Sequence, residues 1–145
     1  FVEQMPLGPR HGWDRASMVP AAEILALLVT HFDLTPAPGR GSAPAEEWLV
    51  AAGDCHPAGT VGVIASVTGP FCAACDRTRV TADGQLRTCL FSLTETDLRT
   101  PLRAGADDNE LADLWVGPHT QKAAGHDIGR AEFRPPGRTM SAIGG

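Results

Sequence analysis

At 145 residues the chain has room for one compact domain and one hydrophobic core, since a chain of this size buries about two-thirds of the surface its unfolded form exposes. A composition 43% hydrophobic and 20% charged excludes both an intrinsically disordered chain and an integral membrane protein. The net charge of -5 argues against a non-specific nucleic-acid binder, which needs a basic field to displace counterions from phosphates. The charges are unevenly placed, however. Residues 1–76 hold three basic and eight acidic side chains and residues 77–145 nine of each, with Arg77, Arg79 and Arg87 clustered around Asp83, so a local anionic ligand is compatible with the sequence.

Taken in chain order, residues 1–7 read as a strand entered mid-element and lack an initiator Met, so the chain is expected to be the C-terminal piece of a longer protein. No basic, apolar and small-residue leader is present, which makes a reducing cytoplasm the expected compartment. A polar loop with Gly8, His11 and Gly12 leads to a helix expected at Pro20. Its stripe is Ile24, Leu25, Leu27, Leu28 and Phe32, and Pro36 and Pro38 end it. Strand, loop and helix in that order resemble one βα unit of a parallel sheet. Residues 48–51 and 60–68 read as two further strands joined across residues 53–59. The longest uncharged run, residues 57–75, contains Pro57, Gly59, Gly62, Gly69 and Pro70 and reads as strand and loop, not as a membrane span. Alternating runs at residues 77–81 and 86–91 flank Asp83-Gly84, the dipeptide favoured in a two-residue type I′ hairpin turn. Helices are expected near residues 95–103 and from Asp107 through Leu111, Leu114 and Trp115, and an extended tail over residues 127–145.

Cys72-Ala-Ala-Cys75 has a spacing that lets two sulfurs face one metal. A two-residue turn at Asp83-Gly84 would make Ala82 face Gln85 and set Thr78 opposite Cys89, bringing a third sulfur to the same place on strands about 4.8 Å apart. Three thiolates allow several chemistries. A disulfide is disfavoured by the compartment and by the absence of a thioredoxin-like helix start. A structural zinc site needs a fourth ligand, for which His11, His56, His119, His126 and Cys55 are candidates. An iron-sulfur cluster held by three Cys leaves one iron open to a ligand. Arg77 and Arg79 alternate with Thr78 and so share a strand face beside Cys75, either as an ordinary solvated face or as a guanidinium pair for phosphate.

The stretch Phe71-Cys-Ala-Ala-Cys-Asp-Arg-Thr-Arg-Val-Thr-Ala-Asp-Gly-Gln-Leu-Arg-Thr-Cys-Leu-Phe91 closely resembles the second cluster motif of the GTP 3′,8-cyclase family of molybdenum-cofactor biosynthesis. The ending Arg138-Thr-Met-Ser-Ala-Ile-Gly-Gly145 resembles that family's terminal Gly-Gly tail, and Phe1-Val-Glu-Gln-Met-Pro resembles its late barrel strand, so the resemblance runs in register over essentially the whole chain. It implies an α/β fold: residues 1–38 as the last βα unit of an incomplete TIM-type barrel, and residues 39–145 as a C-terminal α+β extension with a cluster-bearing hairpin. The implied activity is that of a radical S-adenosylmethionine lyase with two 4Fe-4S clusters, converting GTP to 3′,8-cyclo-7,8-dihydro-GTP. Carried over by position, Cys72, Cys75 and Cys89 match the ligands of the second, GTP-binding cluster, Arg77 and Arg79 match arginines near GTP, and Gly144 and Gly145 match the tail that reaches the active site. Cys-x3-Cys-x2-Cys is absent from the sequence, which places S-adenosylmethionine, the first cluster and most of the barrel in a missing N-terminal part, on the same or a separate chain. The fragment alone is then expected to be inactive. GTP and that barrel are the expected partners, with no nucleic acid and no membrane, and a homodimer is left open. The competing reading is a non-catalytic zinc-binding or interaction module.

Overall fold

The computed structural model describes residues 1–8, 13–123, 125–128 and 133–143. The chain packs as two compact units, one formed by Phe1–Met5 and Gly12–Cys75, the other by Pro6–His11 and Asp76–Gly145.

In the first unit helix α1, Ala21–Leu28, is followed by strands β1 (Leu34–Pro36), β2 (Glu46–Val50) and β3 (Gly59–Val63). The strands form an antiparallel sheet in the order β1-β2-β3, with Thr35 opposite Leu49 and Trp48 opposite Val61. The strand expected over residues 1–7 is reduced to a single parallel bridge, Val2 to Ile64. The Glu3 N–H still donates to the Ile64 carbonyl at 3.1 Å, and the Glu3 side chain is buried at 1% exposed. Pro20 stands just before α1 in extended conformation and has no capping side chain of its own. Glu3 supplies the cap from a distance, its Oε1 accepting the Ala21 N–H at 2.7 Å. Its Oε2 accepts the N–H groups of Val67 and Thr68 at 2.7 and 2.8 Å, and the Thr68 hydroxyl donates to Oε1. The buried apolar side chains of this unit include Met18, Ala21, Val50, Val63 and Val67.

The second unit is built on a hairpin, β4 (Arg79–Val80) and β5 (Gln85–Arg87), extended by β6 (Thr96–Asp97) in the antiparallel order β4-β5-β6. The turn differs from the expected two-residue type. Arg79 pairs with Arg87 and Val80 with Leu86, and the Thr81 N–H donates to the Gln85 carbonyl at 2.9 Å, which leaves Ala82, Asp83 and Gly84 as a three-residue loop. The Gly84 N–H donates to the Thr81 carbonyl at 2.9 Å and Gly84 has φ +80°, the pattern of a turn closed by a left-handed glycine bulge. Thr81 selects it: its hydroxyl donates to Asp83 Oδ1 at 2.5 Å and accepts the Gln85 N–H at 2.9 Å.

The helix expected over residues 95–103 gives its first part to the sheet as β6, and only Arg99–Arg103 is helical, as α2. Asp97 accepts the Arg99 and Thr100 N–H groups at 3.0 and 3.2 Å and so starts the helix there. Helix α3, Asp108–Thr120, begins at the expected Asp107, whose Oδ1 accepts the N–H groups of Asn109 and Glu110, each at 2.9 Å, while Glu110 Oε2 accepts the Asp107 N–H at 3.0 Å. The tail, expected to be extended, closes in a 3-10 turn at Met140–Ile143, with the Met140 N–H on the Leu7 carbonyl at 2.9 Å and Ile143 fully buried. Among the described residues no helix is long and apolar enough to cross a membrane.

Candidate functional site

Cys72–Ala74 form a 3-10 turn that ends on Cys75, whose N–H donates to the Cys72 carbonyl at 3.2 Å. Successive turns of such a helix nearly eclipse, so the sequence spacing of three holds both cysteines on one turn of backbone. Both are half-buried, and none of the four cysteines of the chain is in a disulfide. The Arg40 guanidinium lies over the Phe71 ring at 5.2 Å, fixing the residue from which the turn starts.

Cys72 and Cys75 close the first unit, and Cys89 belongs to the second. The one-residue change in the hairpin register moves its expected partner. Continued past the Arg79–Arg87 pair where the ladder stops, the observed register sets Cys89 opposite Arg77 and not opposite Thr78. Cys89 is half-buried and its Sγ accepts the Phe91 N–H at 3.4 Å. The loop that carries it is organised by Arg87, 4% exposed, which pairs with Glu95 and donates to the carbonyls of Leu90 at 3.3 Å and Ser92 at 2.5 Å. Sequence reading placed Arg87 among the basic residues of the hairpin and missed this internal role.

Arg77 and Arg79 are both half-buried in the second unit. Only Arg79 lies in β4, while Arg77 precedes the strand and is held by its backbone, its carbonyl accepting from Lys122 Nζ at 3.3 Å. Between them Thr78 hydrogen-bonds through its hydroxyl to His119 Nε2, and His119 Nδ1 donates to the Trp115 carbonyl at 2.7 Å. The end of α3 therefore fixes the segment that displays the two arginines.

Beside Cys89 the second unit contains a cavity of about 920 Å³ whose lining includes Phe91, Glu95, Lys122, His126 and Phe133. The Phe91 ring stands 4.6 Å from the His126 ring and 5.9 Å from that of Phe133. This is within the size range of small-molecule sites, and its lining is mixed, with Glu95, Asp113, Lys122 and Arg134 set among Phe91, Leu93 and Phe133. Of the sequence candidates for a fourth metal ligand, His126 lines this cavity and its Nδ1 accepts the Ile128 N–H at 3.3 Å. His119 is engaged with Thr78 and Trp115, His56 packs on Phe32 at 5.0 Å, and Cys55 is exposed. His11, Gly144 and Gly145 lie outside the described residues. Among the described residues no group of three or more His, Cys, Asp or Glu is gathered as a metal site.

Comparison with known proteins gives this arrangement a family. The profile of the Molybdenum Cofactor Synthesis C family matches residues 1–128. The GTP 3′,8-cyclase of Mycolicibacterium smegmatis is 58% identical over 146 residues, which cover 100% of this chain and 40% of that protein. The GTP 3′,8-cyclase of Streptomyces coelicolor is 56% identical over 147 residues, covering 100% of this chain and 42% of that protein. GTP 3′,8-cyclase 2 of Mycobacterium tuberculosis is 55% identical over 145 residues, covering 99% and 40%. The chain thus spans about two fifths of the length of these relatives. A match over most of the chain, at this identity and with the cysteine turn, the hairpin and Cys89 inside it, shows that the chain belongs to the Molybdenum Cofactor Synthesis C family.

Proposed function

We propose that this chain is the C-terminal, substrate-binding part of a GTP 3′,8-cyclase acting in molybdenum-cofactor biosynthesis. The observation that carries the reading is identity of 55–58% to proteins of that name over 99–100% of the chain. In this reading Cys72, Cys75 and Cys89 hold a 4Fe-4S cluster, which with three thiolates supplies one open iron as a Lewis-acidic position for a nitrogen or oxygen of GTP. The donor set fits the group. All three are half-buried thiols outside any disulfide, and Cys89 Sγ already accepts an amide N–H, the kind of bond that tunes such clusters. Arg77 and Arg79 neutralise the triphosphate through charge-assisted bonds. Gly144 and Gly145 carry no side chain to obstruct entry of the tail into a narrow substrate cavity.

S-adenosylmethionine, the first cluster and the greater part of a barrel belong, in the same reading, to the remainder of a longer protein. Residues 1–38 are its last βα unit and residues 39–145 the extension. The order of Val2 in a parallel bridge and then α1 is compatible with a βα start, although the partner of Val2 is Ile64. The cytoplasm is the compartment in which thiols of this kind stay reduced. The zinc-module reading has one observation in its favour, since His126 lines the cavity beside Cys89 as a candidate fourth ligand.

The test is GTP affinity of the anaerobically reconstituted complete protein. Replacing Arg77 or Arg79 with Ala is expected to weaken binding by about 1.5–3 kcal/mol, the range for hydrogen bonds to a charged group, with iron content unchanged. Equal affinity in the wild type and the double Ala variant would contradict the assigned role of the arginines.

A further inference from the structure

Four charged side chains of the second unit form one chain of ion pairs that the substrate-binding reading does not use. Arg138 faces Asp83 with two parallel bonds, Nη1 to Oδ1 at 3.1 Å and Nη2 to Oδ2 at 2.7 Å. Its Nε lies 2.9 Å from Glu95 Oε1, the same oxygen that pairs with Arg87. Arg87 in turn holds the Leu90 and Ser92 carbonyls on either side of the loop after Cys89. Three segments distant in sequence, the hairpin turn, the Cys89 loop and the tail, therefore meet on two guanidinium groups. Five residues after Arg138 the chain buries Ile143 completely, and the next two residues are Gly144 and Gly145.

We propose that Arg138 and Glu95 form a positioning clamp that sets the direction of the tail relative to the loop carrying Cys89. This rests on the reading that Cys89 is a metal ligand and that the tail reaches the substrate. The geometry favours a clamp over incidental surface pairing for two reasons. The Glu95 oxygen that Arg138 Nε meets is also held by Arg87, whose side chain is 3% exposed against 20% for Glu95, so one end of the clamp is anchored on a shielded pair although Arg138 itself is 33% and Asp83 42% exposed. The planar fork of Arg138 also satisfies two carboxylates in fixed directions, which a point charge cannot do. Asp83 is held below the ordinary carboxylate range first by the Arg138 guanidinium and then by the Thr81 hydroxyl, so the turn end of the clamp stays charged in mildly acidic solution.

The test uses the complete protein with its clusters reconstituted and reads two quantities, turnover of GTP and amide hydrogen exchange of residues 139–143. Arg138→Ala is expected to lower kcat at least about tenfold, because small displacements of a positioning element are costly, with a smaller change in KM for GTP and wild-type iron content. Exchange in the tail segment should quicken, and Asp83→Ala added to Arg138→Ala should cost little more than Arg138→Ala alone. Arg138→Lys keeps the charge and loses the fork, so it should recover little of the turnover and serves if the Ala variant does not fold. Wild-type kcat or unchanged tail exchange in Arg138→Ala would overturn the clamp, and so would loss of iron together with kcat or full rescue by lysine. If the wild-type protein formed no cyclised product, the functional reading would fall. Faster tail exchange in Arg138→Ala would then still support the clamp, and unchanged exchange would still overturn it.

Discussion

Glu3 shows how one residue governs a whole unit. Burial alone pushes its carboxyl up, but the Thr68 hydroxyl and the N–H groups of Thr68, Ala21 and Val67 outweigh burial and hold it below its ordinary value of 4.5. A carboxylate whose folded pKa is depressed contributes stability that is fully present above the unfolded pKa and is lost as pH falls through the folded one. Acidification below 4.5 should therefore progressively remove this contribution to the stability of the first unit. Glu3→Gln places an amide NH2 where only acceptors are tolerated, and should cost about 1–3 kcal/mol at neutral pH in thermal unfolding. The gap between variant and wild type should close in acid. A constant gap from neutral pH to below pH 4 would mean that the ionised form is not what stabilises the fold. Sequence reading took residues 1–7 as a strand and gave Glu3 no role, because a local pattern carries no sign that a carboxylate will meet three amide donors from residues 21, 67 and 68.

At the scale of elements, what could be read from the sequence depended on whether a signal was local. Asp107 was read as the start of α3, and the helix begins there, held by a purely local capping box with Glu110 three residues later. Asp83-Gly84 announced the hairpin, but its register depended on the Thr81 hydroxyl, which bonds both Asp83 and Gln85 and turns two loop residues into three. Strand β1 was missed because Pro36 reads as a terminator. It sits at the edge of the sheet, where a residue without an N–H costs no ladder bond. Strand β6 is only two residues long and was absorbed into the helix after it. Gly84 is the position on which the hairpin turns. Its φ of +80° disfavours any L side chain, and a Cβ there would stand 2.6 Å from Arg99 Cβ at the start of α2. Gly84→Ala should destabilise the chain by about 1–3 kcal/mol in denaturant unfolding, the range for a non-glycine residue held in this region. A loss within a few tenths of a kcal/mol would show that α2 yields freely and that the glycine is not required.

At the scale of the whole molecule, the placement of Cys72 and Cys75 on one turn of backbone was legible from spacing, and the cavity beside Cys89 was not. Cys72 and Cys75 advertise themselves by position, whereas Phe91, Lys122, His126 and Phe133 come together only through loops that have no period. The Arg138 clamp was equally hidden, since it joins residues 83, 95 and 138. The central claim is that Cys72, Cys75 and Cys89 together bind an iron-sulfur cluster. The most direct measurement is iron, acid-labile sulfide and zinc bound per chain after anaerobic reconstitution, for the wild type and for Cys89→Ser. About four iron and four sulfide per chain in the wild type, with most of both lost in Cys89→Ser, is the expected result for a 4Fe-4S cluster on three thiolates. Stoichiometric zinc without sulfide, or iron retained in full by Cys89→Ser, would contradict it.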